Sequence, residues 1–294
     1  MIRKKRLCRS NVSLSRTEEE ESVSDPAVQY NIGKSQKLYV HIPTFLQKNE
    51  GDPVIKASSS PLLFLTTNIP VQNFLPILKA HILPCILKVL QEEAEALPVH
   101  LRAQPAFNMK SFDINRNTTS FMILKEDQLY THKVIRLHFT AYDVRHGTDI
   151  INTGTSCCNI MLLADETDDT INSSNAHHFL YARVIGAYHA NIIYNGPGMH
   201  DHQPRRFDFL WVQWFKLVNP ASSAWNNLTL DAVSFPPMNQ DDSFGFVDPK
   251  DVLRGCHILP AFAKGEQHTD GVGISCCAKD RKDYKMYYVG RYAS

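Results

Sequence analysis

The sequence predicts an α+β protein in which a β-rich small barrel or sandwich occupies the C-terminal part, preceded by a helical segment and a disordered N-terminal tail. Three observations carry this. Apolar residues recur at helical spacing between Asn73 and Leu97. From about residue 120 the rhythm becomes alternation of apolar and polar residues in short segments bounded by turn formers. A chain of 294 residues with 43% apolar and 10% aromatic residues also holds enough material for a real core.

Residues 1–33 read as a tail: Arg3-Lys4-Lys5-Arg6 is followed by a serine-rich stretch and by Glu18 to Glu21, with little to bury. The basic run suits a solvated tail first, a nuclear localisation signal or nucleic-acid arm second. No apolar run follows it, so it is read as neither a secretory signal nor an anchor, and Pro61 to Leu65 is too short to cross a membrane. Seven cysteines, with Cys157-Cys158 and Cys276-Cys277 adjacent, point to reduced intracellular thiols, and the expected location is intracellular, nuclear ahead of cytosolic. A formal net charge of +1 excludes a strong overall field toward phosphate or anionic lipid, so any nucleic-acid contact needs a local patch.

Residues 34–98 form the helical segment. Ser35 to Leu46 is weakly helical, and Ala57 to Gln72 has neither period and looks inserted. Phe74, Leu75, Leu78, Ile82, Leu83, Ile86, Leu87 and Leu90 make a broad stripe expected to cover the chain's own sheet. Pro76 suits a first turn, Pro84 predicts a kink or break near His81, and Pro98 closes the helix. Residues 99–119 are a polar linker.

Residues 120–292 form the β-rich domain. Strands are expected at Phe121–Leu124, Gln128–Tyr130, Lys133–Tyr142, Asn159–Leu163, Tyr181–Tyr194, Phe207–Phe215, Leu228–Phe235, Cys256–Leu259 and Tyr284–Val289. In the fourth-from-last of these both faces are apolar, with Phe209, Trp211 and Phe215 on one and Leu210, Val212 and Trp214 on the other, so it should be central. It pairs with the preceding strand across a turn at Gly196-Pro197-Gly198. Asp165 to Asn175 is an acidic loop, and Asp248-Pro249 is an N-cap opening one helical turn that Gly255 ends.

The segments HFTAYDVRHGTDIIN (138–152), NIMLLADE (159–166), YARVIGAYHANIIYNGPG (181–198), RRFDFLWVQWF (205–215), FGFVDPKDVLRGCHILPAFAKG (244–265) and YYVGRY (287–292) resemble the C-terminal module of transposon-derived proteins of the KDZ and Plavaka kind in mushroom-forming fungi. HIPTFLQKNEGDP and NFLPILKAHILP resemble the segments before it. The resemblance implies a direct join of Lys56 to Asn73, a retained intron or gene-model error between them, and a fragment or decayed copy with any catalytic part elsewhere. The order ARVIGAYH, FLWVQWF, DPKDVLRGCHIL resembles, in architecture, the bromo-adjacent homology barrels of chromatin proteins.

Histidines and cysteines (157, 158, 177, 178, 189, 200, 202, 256, 257, 268, 276 and 277) invite a zinc hypothesis, with His200, His202, Cys256 and His257 the first candidates, but no C-x-x-C pair supports it and no metal or cofactor is expected. No nucleophile elbow surrounds Ser243 or Cys256-His257. Asp143, Asp149, Asp165, Asp208, Asp248 and Asp251 could serve a metal-dependent nuclease, though aspartates this frequent cap turns. The favoured surface combines Arg183, Arg205, Arg206 and Arg254 with Tyr181, Tyr188, Trp211 and Trp214, since arginine clamps phosphate and rings stack on bases or enclose methylated ammonium. The expectation is a non-catalytic interaction module for nucleic acid or a chromatin peptide, with no membrane partner. The alternatives are a fragment of a DNA-processing transposase and a degraded gene product.

Overall fold

The computed structural model describes residues 29–32, 38–56, 74–96, 120–140, 146–164, 178–196, 199, 201–218, 230–240 and 242–290. The tail to residue 28, the stretch 57–72, the linker 99–119, the acidic loop 165–175 and Pro197-Gly198 lie outside the described residues. In chain order the described elements are β1 (Tyr30–Ile32), β2 (Tyr39–His41), α1 (Ile42–Lys48), α2 (Pro53–Lys56), α3 (Phe74–Ala96), β3 (Met122–Leu124), β4 (Gln128–His132), β5 (Val134–Thr140), β6 (His146–Asn152), β7 (Asn159–Leu163), β8 (Phe179–Tyr194), β9 (Arg205–Trp214), β10 (Lys216–Leu217), β11 (Asp231–Ser234), β12 (Phe244–Val247), β13 (Val252–Gly255), β14 (His257–Pro260) and β15 (Tyr287–Gly290). This is an α+β fold, β-rich toward the C-terminus.

The molecule is organised on β8. One edge pairs with β9 from Ala182 to Ile192. The other edge is shared end to end by β7 (Phe179 to Arg183), β4 (Ala187 to His189) and β3 (Ile192 to Tyr194). β12 continues the sheet beyond β9, β2 beyond β4, and β13 beyond β7. A second sheet runs β1-β5-β6 and a third β10-β11-β15-β14. All pairings among the described residues are antiparallel, as short strands on short connections require.

A bulge at Ile185 interrupts the β8–β9 ladder: Val184 faces Val212, and Gly186 faces Trp211. The ring of Tyr188 folds over the position a Cβ would occupy at Gly186, so a larger residue there would have to displace that ring. With the extra residue counted, one face of the β8–β9 pair carries Ala182, Val184, Ala187, Leu210, Val212 and Trp214, which pack with Ile32, Ile135, Leu137 and Ile151 of the second sheet. The other face carries Ala190, Ile192, Tyr194, Phe209 and Trp211, which pack with the stripe of α3. Where β8 begins, Tyr181 joins Val233, Tyr287 and Val289 of the third sheet, and Phe215 between β9 and β10, in a separate cluster. The centre of the main sheet at β8–β9 is thus covered on both faces, and β9 from Phe209 on is buried on both, as its apolar faces predict.

α3 contributes Phe74, Leu78, Ile82, Leu83, Ile86, Leu87 and Leu90 to the core, each under 7% exposed, so the stripe covers the chain's own sheet. Phe74 to Glu93 is long and apolar enough to span a bilayer, with mean hydropathy 1.4, but its stripe faces strands. The expected break near His81 does not occur, and the helix runs through Pro84.

Four other expectations need correction. The tail reading to residue 33 takes in β1, whose Ile32 is 4% exposed in the core; a three-residue strand disappears in the composition of its neighbours. Residues 39–41 are a strand on the edge of β4, and helix begins only at Ile42 with a proline in its first turn. β6 is too polar to announce itself, and its Gly147 lies under the ring of Phe139 on β5. Asp248 does cap a turn by accepting from the Lys250 N–H at 2.9 Å, but that turn ends at Asp251 and Val252 to Gly255 is strand.

Candidate functional site

The eight residues singled out for binding do not form one surface. Tyr181 is 2% exposed and donates its hydroxyl to Asp231 at 2.9 Å. Trp211 is 3% exposed and meets Phe74 edge-on at 5.1 Å, while Trp214 points into the opposite core. Tyr188 is stacked on Phe209 at 5.7 Å, and burial pushes its hydroxyl above the usual tyrosine range. An aromatic pocket at these rings is therefore corrected to core packing, which is what large rings on a two-sided strand are used for.

The arginines are occupied as well. Arg183 makes a bidentate pair with Asp283 at 2.7 and 2.9 Å and lies 4.3 Å over Phe235. Arg254 donates Nε to Asp149 at 2.7 Å and covers the ring of Phe139 at 3.4 Å. Arg205 clamps both oxygens of Glu93 at 3.0 and 2.6 Å, tying β9 to the last turns of α3, and also meets Asp201 at 3.0 Å. Arg206 pairs with Asp208 at 2.8 Å but keeps its side chain 42% exposed.

The metal candidates separate too. Cys256 is buried and its thiol is pushed up to about 12 by burial and by Cys158 and Asp149, whereas His257, next in an alternating chain, is exposed. His202 contacts Asn195 at 3.0 Å, and His200 lies outside the described residues. Among the described residues no three His, Cys, Asp or Glu side chains gather at a point that could hold a metal ion. Of the aspartates, Asp149 holds Arg254 and the Gly255 N–H, Asp208 holds Arg206 and Tyr30, and Asp248 caps its turn. Ser243 is fully buried and donates to the Pro237 carbonyl at 2.6 Å.

A different set comes together on the strand faces. Tyr39, Tyr130, His189 and Asp208 stand opposite one another across β2, β4, β8 and β9. Directly opposed positions share a sheet face, so the four side chains form one transverse row. Tyr39 is 50% exposed and tilts against Tyr130 at 6.2 Å. Tyr130 lies flat on His189, with ring centroids 4.4 Å apart and planes 2° apart. His132, two residues along the same strand face, brings Nε2 to 2.7 Å from His189 Nδ1. His41 meets the edge of Tyr39 at 5.3 Å. At the far end Tyr30 donates to Asp208 at 3.0 Å and Arg206 donates its Nε at 2.9 Å, so the carboxylate is neutralised.

Partial burial, with Arg206 and His132 nearby, lowers His189 to about 4, which keeps the imidazole neutral at pH 7. Beside His132 lies an open pocket lined by Leu38, Thr131, Lys133, Thr153, Ile185 and Gly186. It sits where the partner of β8 on this edge changes from β7 to β4, beside Ile185 and Gly186 of the bulge. Part of this face is legible in the sequence: Tyr130 and His132 share a strand face by their spacing, while nothing local to His189 marks it as their partner. Tyr39 was hidden by a helical reading. Comparisons with protein-family models, with curated proteins and with solved structures find no match.

Proposed function

We propose that the chain is a non-catalytic binding module that takes a single nucleic-acid strand on the row of rings across β2, β4 and β8. The observation that carries this is the half-exposed Tyr39 tilted against Tyr130, which is itself stacked on His189, in one transverse row. Every base has a π face, so a ladder of rings on a sheet accepts unpaired bases without reading their edges. A row of rings along one sheet face suits successive bases, whereas a methylated ammonium needs rings closing round it on several sides, so the row favours nucleic acid over a methylated chromatin peptide. Arg206, exposed at the β9 end, supplies a cation for phosphate. With a net charge of +1 the binding should be modest.

The test is fluorescence anisotropy of a labelled 15-nucleotide oligo-dT and oligo-U against the full chain at low salt. Wild type is expected to bind, and Tyr39→Ala and Tyr130→Ala each to weaken it by about tenfold, since a stacked base is worth roughly 1–3 kcal/mol. Arg206→Ala should weaken binding and flatten its salt dependence. Absence of binding by wild type, or unchanged affinity in Tyr39→Ala, would remove the reading, and capture of a histone peptide on the same face would replace it.

A further inference from the structure

The contact between His132 and His189 has a use that stacking does not require. Two imidazole nitrogens on neighbouring strands stand 2.7 Å apart. Metal–nitrogen bonds of about 2.0–2.1 Å spanning that separation would subtend an angle of roughly 80–85°, whereas tetrahedral coordination needs nitrogens about 3.3 Å apart. A near-right angle is that of two adjacent corners of a tetragonal or octahedral ion. We propose that His132 Nε2 and His189 Nδ1 form a two-imidazole site for a divalent ion of tetragonal or octahedral preference, such as Ni(II) or Cu(II), completed by water.

Several features support the site. The Tyr130 ring lies parallel on His189 and fixes the plane in which its nitrogen lone pair points. The two histidines are held by a β4–β8 ladder rather than by a loop, so their separation is set by strand spacing. The pocket on which His132 borders, opening at the gap between β7 and β4, gives an aqueous approach and room for the remaining ligands. The binding step balances simply. The ring that donates its proton in the imidazole contact carries that proton on its other nitrogen instead, each neutral imidazole offers a lone pair, and two waters leave the hydrated ion. No oxidant and no third side chain are needed, in keeping with the absence of a three-residue cluster among the described residues.

Ni(II) is the better probe, because the exposed thiols Cys157 and Cys276 would reduce Cu(II). Isothermal titration of the full chain with Ni(II) should show a site that His132→Ala and His189→Gln each weaken at least tenfold, while His257→Ala, at an exposed histidine outside the pair, leaves it unchanged. Zn(II) should bind the same site several-fold more weakly. In wild-type protein, which needs no variant to fold, substoichiometric Ni(II) should broaden the ring-proton NMR signals of His132 and His189 before those of other histidines. Retention of the site in both pair variants, preference for Zn(II), or broadening that begins at another histidine overturns the proposal. The outcome is independent of oligonucleotide binding, which is read at Tyr39 without metal.

Discussion

At the scale of single residues, the strongest polar interactions of this protein are spent on holding chain segments together. Arg183 and Asp283 are a hundred positions apart, both side chains under 20% exposed, and their bidentate pair bolts β8 to the segment before β15. A buried charge needs a partner of this kind, so the pairings of Arg183 and Arg205 follow from their burial. The sequence shows where arginines stand on strands but not which carboxylate will reach them, because the partners are distant in the chain. Titration offers a test at the same scale. His81 is 8% exposed on α3 beside Phe246, and burial lowers it to about 4. The folded chain then binds fewer protons than the unfolded chain between about pH 4 and 6.5, so this contribution is complete above 6.5 and is lost as pH falls toward 4. Its loss between pH 7.5 and 5 should be about 2 kcal/mol. Urea unfolding at the two pH values should show the drop in wild type and a smaller one in His81→Leu; an equal drop in both would assign the acid sensitivity elsewhere.

At the scale of elements, period was the reliable signal and polarity the misleading one. The α3 stripe and the two-sided β9 were legible because enough consecutive residues repeat the pattern, and the structure buries those residues. β1, β2 and β6 were not, since three residues carry no period and a strand such as His146 to Asp149 takes its stability from Phe139 and Arg254 packed on it. The same reasoning limits the candidate site: the alternation predicts β4 and β8 but not β2, so Tyr39, one of the three rings of the row, has no predicted strand to stand on. The helix itself makes a quantitative contrast. Leu83 is fully buried against the sheet, whereas Lys88, five positions on, has a side chain 46% exposed and forms an i,i+4 pair with Glu92. Leu83→Ala should cost roughly 2–5 kcal/mol through lost transfer energy and a cavity. Lys88→Ala should change stability by less than about 0.5 kcal/mol. Similar urea midpoints for the two variants would mean that α3 does not pack as described.

At the scale of the whole molecule, one strand faces three clusters, and a single added residue keeps them in phase. The side chains of Ala182, Val184 and Ala187 share the second-sheet core only because Ile185 is extra with respect to β9; past it, Ala190, Ile192 and Tyr194 fall on the α3 side. A strand's side chains alternate strictly, so any further one-residue change of length beyond this point exchanges the faces. This makes two deletions of equal size unequal in effect. Removing Ile185 leaves Val184, Gly186 and Ala187 facing Val212, Trp211 and Leu210 in an unbroken ladder, with every later residue on its present face. The loss is that of a partly buried side chain, about 1–3 kcal/mol. Removing Ala190 turns Ile192 and Tyr194, now 1% and 2% exposed, away from α3 and drives Asn191 and Ile193 toward it. Two such losses, at roughly 2–5 kcal/mol each, approach the whole stability of an ordinary domain. The Ile185 deletion should therefore unfold cooperatively in urea at a lowered midpoint, with its circular dichroism spectrum retained, and the Ala190 deletion should show no cooperative transition. Equal behaviour of the two would mean that the bulge does not set the phase of β8, and the row of rings at Tyr130 and His189, which depends on that phase, would lose its structural basis.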